Sequence, residues 1–145
     1  MLRLTIPLHT QLAHWGAQAY PYEGCGLLLG ELADGVKVVR AIRPMRNVWP
    51  VEEEKRVRFR LDEKEWISAE FAAAAQGLDI LGIFHSHPDH APIASPRDLA
   101  WAAWPGYSYL ITEIRAGQPQ GSRSWELNPA RTAFEEESIE IMPAG

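Results

Sequence analysis

The sequence contains one cysteine, Cys25. A single thiol cannot form an internal disulfide bond, and it cannot build the cysteine-rich sites that hold structural zinc. Two zinc-hydrolase patterns are also missing, since neither His-Glu-x-x-His nor Pro-Cys-x-x-Cys occurs in the chain. Any metal site in this protein must therefore be built from histidine and carboxylate side chains.

Long apolar runs are lacking as well, so the sequence predicts no membrane-spanning helix. The first ten residues, MLRLTIPLHT, are interrupted by Pro7 and His9 and do not resemble a secretory signal peptide. Lysine and arginine number 14 against 19 aspartate and glutamate, which gives a formal net charge of -5. This balance argues against a protein that follows nucleic-acid phosphates. We expect a cytoplasmic protein that binds neither nucleic acid nor membrane.

What the chain does contain is the composition of a packed globular domain. Hydrophobic residues make up 46% and charged residues 23% of its 145 residues. This length suits one domain and leaves little room for a second. Because no internal repeat or linker-like stretch interrupts the sequence, we predict a single domain over residues 1–145.

Strand patterns alternate with three helical patterns along the chain. One helix is predicted over residues 7–19, and a second follows a cap at Asp62 and continues through Gln76, where Gly77 stops it. A third begins with the serine, proline and acid of residues 95–98. Residues 47–56 are predicted to form a charged loop. Short apolar or alternating runs predict strands at 26–30, 36–39, 57–61, 80–84, 107–112, 122–127 and 134–141. This order predicts the α/β class, with a mixed β-sheet flanked by about three helices.

The strongest chemical signal is His85-x-His87 followed by Ser95 and Asp98. Two histidines at positions i and i+2 of a strand point to the same side of a sheet, so both can face one ion. The loop then returns Asp98 on the first turn of a helix. Two imidazoles and one carboxylate suit Zn²⁺ and leave a fourth position open, as catalytic zinc sites require.

Local pattern alone leaves other interpretations open. A His-x-His pair is common at strand ends, and Ser95 and Asp98 also make good helix-start chemistry without a metal. A third possibility is a closed structural site in which His90 is the fourth ligand. The spacing by itself does not decide among these.

The same stretch resembles the JAMM motif of the MPN-domain metallopeptidases, since Gly82-Ile-Phe-His-Ser-His-Pro is followed by Ser95-Pro-Arg-Asp98. The segment Glu23-Gly-Cys-Gly-Leu-Leu-Leu-Gly30 resembles the first strand segment of that family. Two further segments, at 58–62 and 104–111, are similar to those of its small bacterial stand-alone members. The resemblance covers residues 1–127. It implies one MPN domain, similar in fold to cytidine deaminases, with Zn²⁺ bound by His85, His87 and Asp98.

Two catalytic roles are implied by the resemblance. Glu23 stands at the place of the family's catalytic glutamate, which takes a proton from the attacking water and later passes it to the leaving amine. Ser95 would donate a hydrogen bond to the oxyanion of the tetrahedral intermediate. Both side chains have ordinary alternatives, because Glu23 could be a solvated carboxylate and Ser95 a helix cap.

The implied activity is that of a zinc metallopeptidase. Its substrate would be a ubiquitin-like sulfur-carrier protein of the ThiS, MoaD or CysO type. The peptide or isopeptide bond at the carrier's Gly-Gly tail would be hydrolysed, releasing an amino acid or peptide. The alternatives are an amidase for cell-wall or other small peptides and a non-catalytic MPN scaffold that binds partner domains. Scaffold members usually lose metal ligands, and here every motif residue is present.

Overall fold

The fold is seen in a computed structural model that describes residues 1–96, 98 and 104–144. Within these ranges the chain forms one mixed sheet of eight strands and two α-helices, with a short 3₁₀ helix at Glu52–Arg56. In chain order the elements are β1 (Leu2–Thr5), α1 (Ile6–Ala19), β2 (Cys25–Ala33), β3 (Val36–Met45), α2 (Glu63–Ala75), β4 (Asp79–Pro88), β5 (Ser108–Arg115), β6 (Gln118–Leu127), β7 (Phe134–Glu137) and β8 (Ile139–Met142).

Strand β4 lies in the middle of the sheet, whose order is β7-β6-β5-β4-β2-β3-β1-β8. It pairs antiparallel with β2 and parallel with β5, so that His85 lies between Cys25 and Ile111. The parallel neighbour comes so close that a Cβ at Gly82 would lie 2.0 Å from the Ser108 carbonyl oxygen. Glycine is therefore required in β4, just before the residues of the predicted metal motif.

Each face of the sheet is covered by its own apolar core. Helix α1 packs on one face, in a core built from Leu2, Leu4, Leu12, Leu28, Val39, Ile42, Leu81, Phe84 and Leu110. Helix α2 packs on the other face, in a core built from Leu27, Leu29, Met45, Ala69, Ala73, Ile83, Tyr109 and Leu127. Because side chains alternate along a strand, the position of Ile83 places His85 and His87 on the α2 side.

The predicted α/β class with a mixed sheet is confirmed. Both long helices and most strands appear close to their predicted positions, although β4 extends through the two histidines. The strand β1 was not predicted, since its four residues are too short to show a period. The predicted third helix is seen only at Pro96 and Asp98, and its remainder lies outside the described residues.

The predicted strand at residues 57–61 is wrong, although the sequence alternates with period two there. The backbone groups of this segment bond to another part of the loop instead of to a neighbouring strand. The Asn47 side chain binds the carbonyl of Arg58 and the N–H of Arg60, and the Val48 N–H donates to the Arg60 carbonyl. Hydrogen bonds from the Asn47 side chain thus take the place of the strand pairing that the alternating pattern predicted.

None of the helices within the described residues has the length and apolar character needed to cross a membrane.

Candidate metal and catalytic site

Three of the predicted site residues meet in one cluster. The Nε2 atoms of His85 and His87 lie 3.3 Å apart. The Asp98 carboxylate places Oδ1 3.1 Å from Nε2 of His85 and Oδ2 3.2 Å from Nε2 of His87. Among the residues that the structure describes, these are the side chains whose donor atoms gather closely enough to hold a metal ion together.

Strand β4 and the loop after it orient the donor atoms of the two histidines. His85 and His87 project from the same face of β4, and Ser86 between them points to the opposite face, where its hydroxyl accepts the Gly24 N–H at 2.8 Å. The Nδ1 of His87 lies 2.9 Å from the Ala91 carbonyl oxygen, which can only accept. Nδ1 must therefore carry a proton, which leaves Nε2 as the ring nitrogen whose lone pair can face the cluster.

Burial and mutual attraction shift the pKa values of His85 and Asp98. Burial lowers the pKa of His85, although the Asp98 carboxylate acts in the opposite direction. Burial alone would raise the pKa of Asp98, but the two neighbouring imidazoles outweigh it and hold that pKa well below its usual range. An ionised carboxylate and two imidazole rings that share one small space offer the kinds of ligand atom that a metal cation needs.

Asp98 is also held in place by hydrogen bonds to Ser95 at the start of its helix. The Asp98 N–H donates to Oγ of Ser95 at 3.1 Å, and the Ser95 N–H donates to Oδ2 of Asp98 at 2.7 Å. This reciprocal pair is a capping box, with aspartate in place of glutamate or glutamine. Ser95 therefore serves as the helix cap in this structure. Its hydroxyl proton remains available, so its predicted oxyanion role stays a prediction.

Glu23 lies beside the cluster. It is 2% exposed and comes two residues before Cys25, which pairs with His85 across β2 and β4. Its side chain lines the same cavity as His85 and Asp98. The alternative of a solvated carboxylate is therefore excluded, whereas the role of Glu23 in proton transfer stays a prediction.

The cavity beside the cluster has a volume of about 510 Å³, within the range of small-ligand sites. Apart from Glu23, His85 and Asp98, its walls are mostly apolar and aromatic: Trp49, Val57, Phe59, Leu61, Trp66, Ile67, Ile83, Trp104 and Tyr109, with Arg58, Arg60 and Glu63. The Phe59 ring stacks on His85, with centroids 4.6 Å apart. Trp66 stacks on Trp104 at 4.9 Å.

Sequence reasoning missed these wall residues. For Val57, Phe59 and Leu61 the available signal is the apolar side of the alternating segment 57–61, a pattern that predicts a strand. Two other residues flank the site without joining it. His90 packs its ring against His87 at 6.1 Å between centroids, and it is outside the donor cluster. Burial, followed by the nearby carboxylates, raises the pKa of the Cys25 thiol, which therefore stays protonated and is a poor nucleophile.

Comparisons with known proteins identify the family to which the domain is similar. Residues 5–128 match the family model described as prokaryotic homologs of the JAB domain. A desampylase from Haloferax volcanii is 41% identical over 91 residues, which cover 63% of this chain and 62% of that protein. A probable TtuB-protein conjugate cleaving protease from Thermus thermophilus is 33% identical, over 58% of this chain and 51% of that protein. The chain thus matches between half and two thirds of the length of these curated relatives.

Solved structures match nearly the whole chain. A protein from Desulfitobacterium hafniense has a TM-score of 0.86 and 28% identity, covering 99% of this chain and 94% of that one. A JAB1/MPN domain protein from Archaeoglobus fulgidus has a TM-score of 0.62 over 97% of this chain and 98% of its own. Its identity is 18%, so this likeness concerns the fold alone. The chain belongs to the family of prokaryotic JAB-domain homologues, which confirms the JAMM/MPN resemblance of its motifs.

Proposed function

We propose that this protein is a zinc-dependent peptidase or isopeptidase that cleaves the bond at the Gly-Gly tail of a ubiquitin-like sulfur-carrier protein. The carrier would be of the ThiS, MoaD or CysO type, and the product an amino acid or peptide. The observation that carries the proposal is the buried cluster of His85, His87 and Asp98 at the end of an apolar cavity.

The spacing of the cluster supports zinc. Zinc bonds to imidazole nitrogen and carboxylate oxygen are about 2.0–2.2 Å long, so a tetrahedral ion holds its ligand atoms about 3.3 Å apart. The two Nε2 atoms are 3.3 Å apart, and each lies at a similar distance from one oxygen of the Asp98 carboxylate: 3.1 Å from His85 to Oδ1 and 3.2 Å from His87 to Oδ2. The hydrogen bond from His87 to Ala91 is the outer contact that commonly orients a ligating imidazole. Three protein ligands leave a fourth position for water or substrate.

The chemistry follows from the residues around that position. A bound zinc ion supplies Lewis acidity and makes water nucleophilic near neutral pH. Glu23, buried beside the cluster, takes the proton of the attacking water and passes it to the departing amine. The Ser95 hydroxyl donates to the developing oxyanion while its lone pairs continue to accept the Asp98 N–H. The amide bond breaks to give a carboxylate and a free amine.

The relatives support a protein conjugate as substrate. The Thermus thermophilus relative is named for cleaving TtuB-protein conjugates, and the Haloferax volcanii relative is named a desampylase. A tail that ends in two glycines suits a buried cluster because the absence of Cβ atoms lets its backbone come close. The retained donor set disfavours a scaffold that only binds partners.

The proposal is tested by incubating the zinc-loaded protein with carrier conjugates that extend beyond Gly-Gly and weighing the products by mass spectrometry. We expect a carrier that ends at Gly-Gly together with the released amine. Cleavage should stop on chelation, return with zinc, and be lost when the two glycines are replaced by valines. Conjugates that stay intact with zinc-loaded protein would overturn the proposed activity.

A further inference from the structure

The backbone of Glu23 is held from both sides by one loop. Its N–H donates to the Lys55 carbonyl at 2.7 Å, and its carbonyl accepts the side-chain amide of Asn47 at 3.1 Å. Both contacts come from the stretch between β3 and α2, more than 20 residues away in sequence. The peptide that carries the proposed base is therefore fixed by this loop as well as by its link to strand β2, which begins two residues later at Cys25.

Asn47 makes four hydrogen bonds to backbone groups. Its Nδ2 donates to the carbonyls of Glu23 and Arg58, at 3.1 and 2.9 Å. Its Oδ1 accepts the N–H groups of Trp49 and Arg60, at 3.1 and 3.2 Å. The partners of Nδ2 can only accept and those of Oδ1 can only donate, so one orientation of the amide satisfies all four.

The same side chain fixes the wall of the cavity. Arg58 and Arg60, which it binds, flank Phe59, and the Phe59 ring stacks on the proposed ligand His85. Trp49, which it also binds, lines the cavity. One amide thus joins the peptide of Glu23 to the loop that packs against His85.

We propose that Asn47 is a positioning residue for Glu23, a role that rests on the proposed function of Glu23 as proton carrier. It acts by fixing the Glu23 peptide against the loop, so that the carboxylate stays in reach of the attacking water. Asn47 is neither among the residues that line the cavity nor in the donor cluster. The loop at residues 47–61 thus acts as a clamp, because it holds the Glu23 peptide at both its N–H and its carbonyl. A displacement of the loop would therefore displace Glu23 as well.

The test is a double-mutant cycle between Asn47→Ala and Glu23→Gln. In the otherwise wild-type protein, Asn47→Ala should lower kcat about 10- to 100-fold with zinc content retained, because small misplacements of a catalytic group are costly. In the Glu23→Gln protein, Asn47→Ala should lower kcat by less than about twofold, since the carboxylate that Asn47 positions is already absent. Equal losses in both backgrounds would overturn the proposal and leave Asn47 a general structural residue.

Asn128 supplies the matched control. Its side chain also anchors a loop, by accepting the N–H groups of Thr132 and Ala133, and it lies outside the site. Asn128→Ala should leave kcat within about twofold of wild type. A loss as large as that of Asn47→Ala would also overturn the proposal. If Asn47→Ala does not fold, Asn47→Asp replaces it, because aspartate can keep the two Oδ1 contacts and loses the donors to Glu23 and Arg58.

Amide hydrogen exchange in the metal-free protein gives a readout that is independent of activity. The amides of Glu23 and Gly24 should exchange at least tenfold faster in the Asn47 variant and unchanged in the Asn128 variant. Unaltered exchange in the Asn47 variant would contradict the clamp. A Glu23→Gln protein with full activity would instead count against the proposed function, while the exchange rates would still decide whether Asn47 holds this peptide.

Discussion

The two halves of the site are built by different means. The ligand half, His85 and His87, lies on the central strand β4, whose two neighbouring strands hold it by regular backbone pairing. The other half consists of Glu23 and the cavity wall at 57–61, which a loop holds through the side chain of Asn47. The comparison teaches that regular strand pairing holds the two proposed histidine ligands, whereas side-chain hydrogen bonds within a loop hold the proposed proton carrier and the cavity wall.

Breaking the ligand half should have the largest effect. His87→Ala removes one of three donors from the proposed zinc, so we expect metal and turnover to be lost together, with activity below detection. His90→Ala is the matched control, because that exposed ring packs against His87 without joining the donor cluster. Zinc content and rate should be measured on the same preparations. Full zinc occupancy in His87→Ala would show that it is not a ligand.

A substitution in the half that contains Glu23 should lower turnover without loss of zinc. Glu23→Gln keeps the shape of the side chain and removes its basicity, so turnover should fall about 10²- to 10⁴-fold. Zinc should stay bound, since Glu23 is not among the proposed ligands. Single-turnover rates and zinc content, measured on one sample, distinguish a proton carrier from a metal ligand. Undiminished turnover would eliminate Glu23 as proton carrier, and a parallel loss of zinc would make it a ligand.

Ser95 has two roles next to these halves, because it caps the helix that carries Asp98 and is the proposed oxyanion donor. Ser95→Ala should lower turnover about 10²-fold, the lower end for loss of an oxyanion donor. It should also lower the free energy of unfolding by about 1 kcal/mol, through loss of the cap. Ser95→Thr, which can cap and donate, should restore much of both. A variant that loses only stability would limit Ser95 to capping.

The smallest effect is expected at the far wall of the cavity. Trp66→Ala removes part of the apolar surface offered to substrate, so KM should rise about tenfold with kcat nearly constant. Phe71→Ala, one turn later on α2, is the control because that side chain is 75% exposed and is not among the cavity walls. Steady-state kinetics on one conjugate compares them. Equal behaviour of the two variants would contradict a binding role for this wall.

The sequence could predict that His85, His87 and Asp98 lie together because that signal is local, whereas the choice of a metal site rested on family resemblance. His85 and His87 share a strand face by period two, and the serine, proline and acid at 95–98 announce a helix start. The wall could not be predicted in this way. Residues 57–61 carry the same period-two pattern as a strand, but hydrogen bonds from Asn47 and Val48 take the place of strand pairing there. Glu23 was placed by family resemblance, since no local pattern connects it with residues about 60 positions later.

X-ray absorption spectroscopy at the zinc edge of the reconstituted protein tests the central claim most directly. We predict one zinc ion per chain, with two imidazole nitrogens and carboxylate or water oxygens at about 2.0–2.2 Å. The buried Cys25 thiol should contribute no sulfur to this shell. Absence of stoichiometric zinc after reconstitution, or a sulfur shell at about 2.3 Å, would contradict the assignment of His85, His87 and Asp98 as the metal site.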